Sequence, residues 1–458
     1  MQKLADIIGR GASQWPDALA VADASESYTY VSLATASASV GTWLLEQGVA
    51  AGDRVVVCLP NSARFVVALF GGQFAGAVVV PLDPALPEAQ ISAIIERTGA
   101  RVVLSESSPW EAIFENSPMA HPAERQPEDL AALMFTTGTT GRPKGVMLTH
   151  ANILAALSNI IEFVGYRPTD REVITLPLTH NFGLGHVYCN LLAGGAVYLE
   201  PGLKRIGRVL KAIESFGATG FPTTPMGVSL LLDRYAEVFK ERAKNLRFMV
   251  VNSAPLPPER AAQLQAALPD LNILVYYGLT EASRSCFISL SQEGPARYRS
   301  VGKPMAGVQM RLDDDGQVLI GGPTLTPGYW DDASLTKEKI INGELHTGDL
   351  GEFDNEGNLY IAGRLDDTIN IGGYKVNPMD VERRLESYPG VKECAVVGAE
   401  VITAFYVSDQ DLDEDSLVRH CREVLQIFET PQVFRRLERL PRTDSGKLKR
   451  KELPIAGI

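Results

Sequence analysis

The stretch "FVVALFGGQFAGAVVVPL", Phe65 to Leu82, constrains the fold of this chain most. It is uncharged and long enough to pass for a membrane span. Its surroundings argue against that. It follows "DRVVVCLPN", and it holds Gln73, three glycines and a proline. The segments read instead as strand 54–59, helix 62–76 and strand 77–82, a βαβ unit of a sheet buried on both faces. No membrane span is expected.

The alternation continues along the chain. "ARVVL" (100–104) is a further buried strand, and a polar stretch, 107–128, separates it from a strand at 131–136. "THANILAALSNIIEFV" (149–164) has the spacing of an amphipathic helix. "EVITLPL" and "AVYLE" are strand-like and flank the helix "GLGHVYCNLLAGG", which ends on glycines. In the helix "RIGRVLKAIESFG", Ile206, Leu210, Ile213 and Phe216 share one face. "RFMVVNSAPL" and "NILVYYGLTEA" are strands that run into turn-rich loops, the usual place for ligands in open α/β sheets. After about residue 300, short strands with D-G and N-E-G turns mark a β-rich subdomain. "RLDDTINIGGYKVNP" has the charges and paired glycines of a hinge, and helix, two strands and helix follow it. The expected fold is α/β: a large N-terminal domain of α/β sheets, 1–364, with the β-rich subdomain at about 300–364, hinged to a small α+β C-terminal domain, 365–458.

Net charge is −12, which excludes a general nucleic-acid binder, and no basic stripe occurs. Five cysteines lie far apart with no C-x-x-C spacing, so they are expected to be reduced thiols rather than a disulfide frame or a zinc site. The opening residues have no charged-then-apolar signal pattern. A cytoplasmic location is the expectation.

"FTTGTTGRPKG", Phe135 to Gly145, has the composition of a phosphate loop. Glycines bring backbone N–H groups close to an anion, hydroxyls add donors, and Lys144 brings a positive charge. A Walker loop needs its lysine directly after a glycine and before a hydroxyl. Here Lys144 follows Pro143 and precedes Gly145, so that reading fails.

The motif instead resembles the phosphate loop of the adenylate-forming superfamily, which includes acyl- and aryl-CoA synthetases, luciferases and the adenylation domains of peptide synthetases. Further motifs of that family occur in the family's order. "YYGLTEA" (276–282) resembles its adenine and magnesium motif, "HTGDL" (346–350) its ribose motif, "GRLDD" (363–367) its arginine and hinge, and "LPRTDSGKLKR" (440–450) its terminal catalytic motif. The resemblance runs from about residue 10 to 451 and is closest to the acyl-CoA ligases.

The resemblance implies that Thr136, Thr137, Gly138, Thr139, Thr140, Gly141 and Lys144 hold phosphate. Tyr276, Tyr277 and Gly278 would sit at adenine, beside Ser253, Ala254 and Pro255. Glu281 would hold Mg2+, a hard cation that favours oxygen, and Thr280 would donate to a phosphate. Asp349 and Arg364 would fix the ribose and phosphate, and Asp366 would be the hinge. Lys447 would be the catalytic lysine. Gly372, Gly373 and Tyr374 would line the face that receives the thiol. "LPLTHNFGLGH" (176–186) resembles the family's substrate gate, with His180 in the pocket. Relatives that take amino acids usually have an aspartate there; His180, Asn181 and Phe182 fit acyl- and aryl-CoA ligases better. Arg284 faces either a polar acid or only the surface.

The implied activity is an ATP-dependent acid:thiol ligation. A fatty or aryl acid becomes an acyl-AMP with release of pyrophosphate, and the acyl group passes to CoA. ATP, Mg2+ and CoA are the implied cofactors and co-substrates. One alternative acceptor is a phosphopantetheinylated carrier protein. An alternative of another class is a non-catalytic nucleotide- or acyl-adenylate-binding protein. Two departures stand out. Val275 lies where relatives often have a polar residue, and "VVGAE" runs almost directly into "VITAFYVS", trimming the small domain.

Overall fold

Three runs of apolar residues explain the first sheet. Arg54–Cys58 and Val78–Leu82 are parallel strands, in register from Arg54↔Val78 to Cys58↔Leu82. The helix Ala63–Phe74 joins them and is buried over nearly its whole length. An almost uncharged helix in this place is a core helix, because its sheet and neighbouring helices cover every side. The computed structural model describes residues 1–136, 143–371, 374–398, 401–443 and 448–453. Among them no helix is long and apolar enough to cross a membrane.

The described residues divide into two compact units. The first is Met1–Asn252, Leu256–Gln309 and Ile320–Leu345; the second is Ser253–Pro255, Met310–Leu319 and His346–Ile458.

In the first unit, the first sheet has the order Val102–Ser105, Arg54–Cys58, Val78–Leu82, Leu130–Thr136, Lys144–Thr149. Only the last pairing is antiparallel. A second sheet has two halves. One contains Ala196–Leu199 and Arg171–Ile174; the other contains Phe248–Val251, Asn272–Tyr277 and Cys286–Ser289. Gly220 bridges them, pairing in parallel with Glu172 on one side and Phe248 on the other. A side chain at 220 would strike the Phe248 ring, its Cβ 2.4 Å from that ring, so the bridge needs glycine.

In the second unit, Glu344–Phe353 pairs antiparallel with Leu359–Arg364. Further on, Glu393–Gly398 pairs antiparallel with Ile402–Val407, which pairs in parallel with Val433–Leu437. Helices Pro378–Glu386 and Glu414–Val424 complete this part. The hairpin register reaches Gly398↔Ile402, so the link between these strands is short, as the run from "VVGAE" into "VITAFYVS" implies. All five cysteines are buried, and none is joined in a disulfide.

Candidate active site

Three parallel strands of the second sheet, Arg171–Ile174, Phe248–Val251 and Asn272–Tyr277, are brought side by side through Gly220. Their carboxyl ends lead into the segments the sequence singles out. Such ends are the usual ligand crevice of α/β sheets, because the loops there carry side chains that no neighbouring strand covers.

After Ile174 the chain turns, and exposed His180 takes the N-cap position of the helix Asn181–Ala193 with extended backbone, φ −119°. After Tyr277 come Gly278, Thr280 and Glu281, all half-buried. A Cβ at Gly278 would lie 2.4 Å from the Arg284 backbone nitrogen, so this turn closes only on glycine. The Asn181 amide donates to the Thr280 carbonyl at 3.4 Å and joins the two loops.

Glu281 is held on two sides. Its carbonyl accepts from the Thr326 N–H at 2.7 Å, and its Oε1 accepts from the Tyr329 hydroxyl at 2.8 Å. Burial first, and then the Glu281 charge, push the Tyr329 phenol well above its ordinary range, so it remains a donor. An oxygen-only carboxylate fixed in this way suits a hard cation such as Mg2+, which binds through one or two carboxylates plus substrate phosphates.

Tyr276 and Tyr277 differ. Side chains alternate along a strand. The Tyr276 ring lies in the core, 5 % exposed, against Phe182 and Phe287 and beneath the Arg284 guanidinium. The half-exposed residue of the pair is Tyr277. Tyr276 therefore shapes the wall behind the strand end rather than offering a ring face at its mouth.

The glycine loop is flanked in the sequence by two strands that pair with each other. Thr136 and Lys144 are cross-strand partners in the antiparallel pairing of Leu130–Thr136 with Lys144–Thr149. Lys144 thus sits at the start of a strand, where the sequence reading places it in the glycine loop, 135–145. Arg97 ties the loop's end in place, donating to the carbonyls of Pro143 and Trp330, each at 2.8 Å. The Trp330 N–H in turn donates to the Gly145 carbonyl at 2.7 Å. Thr137, Gly138, Thr139, Thr140 and Gly141 lie outside the described residues, as do Gly372, Gly373 and Lys447.

The second unit holds a separate cluster. Asp349 and Arg364 are cross-strand partners, with Arg364 Nη1 2.9 Å from Asp349 Oδ1. Asp349 is 7 % exposed, and its backbone N–H donates to the Thr347 hydroxyl at 3.0 Å. Gly348, at φ 74°, makes the bend before it. Asp366 is exposed in the short 3-10 turn Leu365–Asp367. Ser253 has φ 87°, a left-handed backbone that non-glycine residues rarely adopt. Ala254 is half-buried and Pro255 exposed. Tyr374 is 57 % exposed and stacks on Phe428 with 4.4 Å between centroids. The chain on either side of Lys447 is anchored: Arg442 bridges Leu448, and the Lys449 N–H donates to the Pro441 carbonyl at 2.9 Å. Arg450 then bonds Glu382, Asp367 and the Val396 carbonyl.

Arg97, Tyr329 and Arg450 do not stand out in the sequence. Each acts by reaching a residue far along the chain. The signal available was charge or a hydroxyl beside a motif, which is also what a solvated surface offers.

Comparison with known proteins identifies the family. The AMP-binding enzyme family matches residues 9–330, and the AMP-binding enzyme C-terminal domain matches residues 380–447. The chain is 31% identical to the 3-[(3aS,4S,7aS)-7a-methyl-1,5-dioxo-octahydro-1H-inden-4-yl]propanoyl:CoA ligase of Mycobacterium tuberculosis, over 97% of each protein. It is 31% identical to the sulfoacetate–CoA ligase of Cupriavidus necator, over 98% of this chain and 97% of that one. Its fold is similar to that of the O-succinylbenzoate coenzyme A synthetase of Bacillus subtilis in complex with ATP and magnesium ion, with a TM-score of 0.85, 26% identity and 98% of each chain covered. The chain belongs to the AMP-binding, adenylate-forming enzyme family, beside its CoA ligases.

Proposed function

We propose that this protein is an AMP-forming acid–CoA ligase. A carboxylate oxygen of the acid attacks the α-phosphate of ATP. A new acyl–oxygen–phosphorus bond forms, the bond to the β-phosphate bridging oxygen breaks, and pyrophosphate leaves. The sulfur of CoA then attacks the acyl carbon, AMP leaves with the bonding pair, and the thiol proton is released. The observation that carries the reading is the held carboxylate of Glu281 at a strand end, in a chain that aligns with CoA ligases from end to end.

The first step brings anionic oxygen against anionic phosphate, so the site must offset charge before reaction. Lys144 and the threonines of its loop bind phosphate, Thr280 donates to it, and Lys447 approaches the α-phosphate. Glu281 would hold Mg2+, which when bound would supply further neutralisation of the phosphate charge. Asp349 accepts from ribose hydroxyls while Arg364 reaches ribose and phosphate. Tyr277 and Gly278 serve the adenine base, a role we also assign to Ser253, Ala254 and Pro255, and His180 serves the acid's carboxylate. Asp366 serves as the pivot between the 1–364 and 365–458 domains, and Gly372, Gly373 and Tyr374 are the residues we assign to receiving the thiol. CoA is the acceptor we assign. A carrier-protein phosphopantetheine would use the same sulfur chemistry.

The test is product analysis. With acid, ATP, Mg2+ and CoA, the expected products are acyl-CoA, AMP and pyrophosphate in equal amounts. Thioester formed only on a carrier protein would reassign the acceptor, and ADP with inorganic phosphate would overturn the reading.

A further inference from the structure

Arg284 is 3 % exposed, and its guanidinium makes three hydrogen bonds: to the Ser283 hydroxyl at 2.9 Å and to the carbonyls of Asn181 and Phe182 at 2.7 and 3.0 Å. All three acceptors are neutral. Arginine stays charged in proteins and has five N–H donors, so two here lack an acceptor among the described residues. A buried charge without a counter-charge is costly. Glu172, the buried carboxylate of the strand Arg171–Ile174, is engaged elsewhere, by the Tyr166 hydroxyl at 2.5 Å and beside His186 Nδ1 at 2.8 Å.

The chain goes to some length to put the guanidinium there. Arg284 itself has φ 55°, in the left-handed region that arginine seldom occupies. A Cβ at Gly185 would lie 2.2 Å from Arg284 Nη2, so the guanidinium fills the space of a side chain missing from the helix Asn181–Ala193. Its face rests over the Tyr276 ring, 5.3 Å from the centroid.

Arg284 lines a cavity of about 30 Å3, bounded by the strands Leu130–Thr136 and Lys144–Thr149, the helices His150–Val164 and Asn181–Ala193, and the turn that follows Glu281. Met134, Ile153 and Leu157 form an apolar side. Tyr188 and Thr324 also line it, and the hydroxyls of both are buried with no hydrogen-bond partner among the described residues. A permanent cation and two unsatisfied hydroxyls therefore share one small cavity, three residues along the chain from Glu281. The space suits a compact group of a few atoms and is too small for a long alkyl tail.

We propose that this cavity receives the distal end of the acid, and that Arg284 selects acids bearing a second anionic oxygen group, a carboxylate or a sulfonate. The inference rests on the ligase reading, since it assigns the far end of that reaction's acid. Charge-assisted hydrogen bonds to Arg284 would fix the distal group, with Tyr188 and Thr324 completing its donors. The apolar side would carry the short linker between the two acidic groups.

The test compares short dicarboxylic and sulfonocarboxylic acids with monocarboxylic acids of equal length, in pyrophosphate release and in direct calorimetric binding without ATP. The expected result is at least a tenfold preference in kcat/KM for the doubly anionic acids. Arg284→Met should lower that value more than thirtyfold for those acids, lower it less for the monoacids, and leave ATP affinity in place. Tyr188→Phe should move the preference the same way by a few-fold, and keeps the test open if Arg284→Met does not fold. Equal use of both acid classes by the wild type, or equal loss on both in each variant, would overturn the anion site while leaving the ligase reading intact. Binding of diacids that requires Arg284, with no pyrophosphate released from any acid, would support the anion site and contradict the ligase reading.

Discussion

Asp349 and Arg364 face each other across an antiparallel strand pair, with 2.9 Å between carboxylate oxygen and guanidinium nitrogen. Arg364 is 44 % exposed at its side chain, and an ion pair with one partner open to solvent contributes about 1 kcal/mol to stability. Its value lies in orientation. Arg364→Ala should therefore change stability by about 1 kcal/mol or less, while Asp349→Ala and Arg364→Ala each raise the KM for ATP by roughly tenfold or more through lost charge-assisted bonds. Nucleotide titration and thermal melting of the same samples check both halves.

The Tyr329–Glu281 bond makes a graded prediction. Tyr329→Phe removes one hydrogen bond from the carboxylate and should cost activity by roughly five- to tenfold, the effect of about 1 kcal/mol. Glu281→Gln removes the charge that holds Mg2+ and should cost far more, with a raised requirement for Mg2+. Rate against Mg2+ concentration for both variants measures the difference. Equal Mg2+ dependence in Glu281→Gln and wild type would exclude the metal role.

Lys447 has a step-specific role. Lys447→Ala should nearly abolish formation of acyl-AMP while leaving transfer from supplied acyl-AMP to CoA mostly intact. Single-turnover assays of each half-reaction test this, and equal loss of both would remove Lys447 from the adenylation step.

His150 predicts a pH-dependent stability. It is 2 % exposed, its Nδ1 accepts from the Leu4 N–H at 3.2 Å, and burial, reinforced by Arg125, lowers its pKa from 6.5 to about 4. Between these values the unfolded chain binds more protons than the folded one, so stability falls as pH falls from about 6.5 to about 4. The gap corresponds to about 3 kcal/mol. The melting temperature of His150→Gln should decline less steeply across that window than that of the wild type.

Much of this was legible in the chain. The βαβ unit around Phe65–Leu82 follows from its apolar runs, and the glycine loop from its composition. Local pattern did not reveal which residues reach across the fold. The strand Lys144–Thr149 is hidden by the glycines before it. The strand Val433–Leu437 is half-exposed and charged, so it lacks a buried strand's signature. The helices Pro225–Arg234 and Pro258–Ala267 each begin with a proline, a start signal the reading above did not use. Arg284 shows the limit best. Its burial depends on a glycine ninety-nine positions earlier, at 185, and no pattern within the "TEASRS" segment encodes that distance.

ATP–pyrophosphate exchange in the absence of any thiol tests the central claim most directly. A panel of fatty, aromatic, hydroxy, dicarboxylic and sulfonated acids is presented with ATP and Mg2+. The account predicts exchange that requires an acid and is lost in Lys447→Ala. Tight ATP binding with no exchange for any acid, or release of inorganic phosphate without acid, would contradict it.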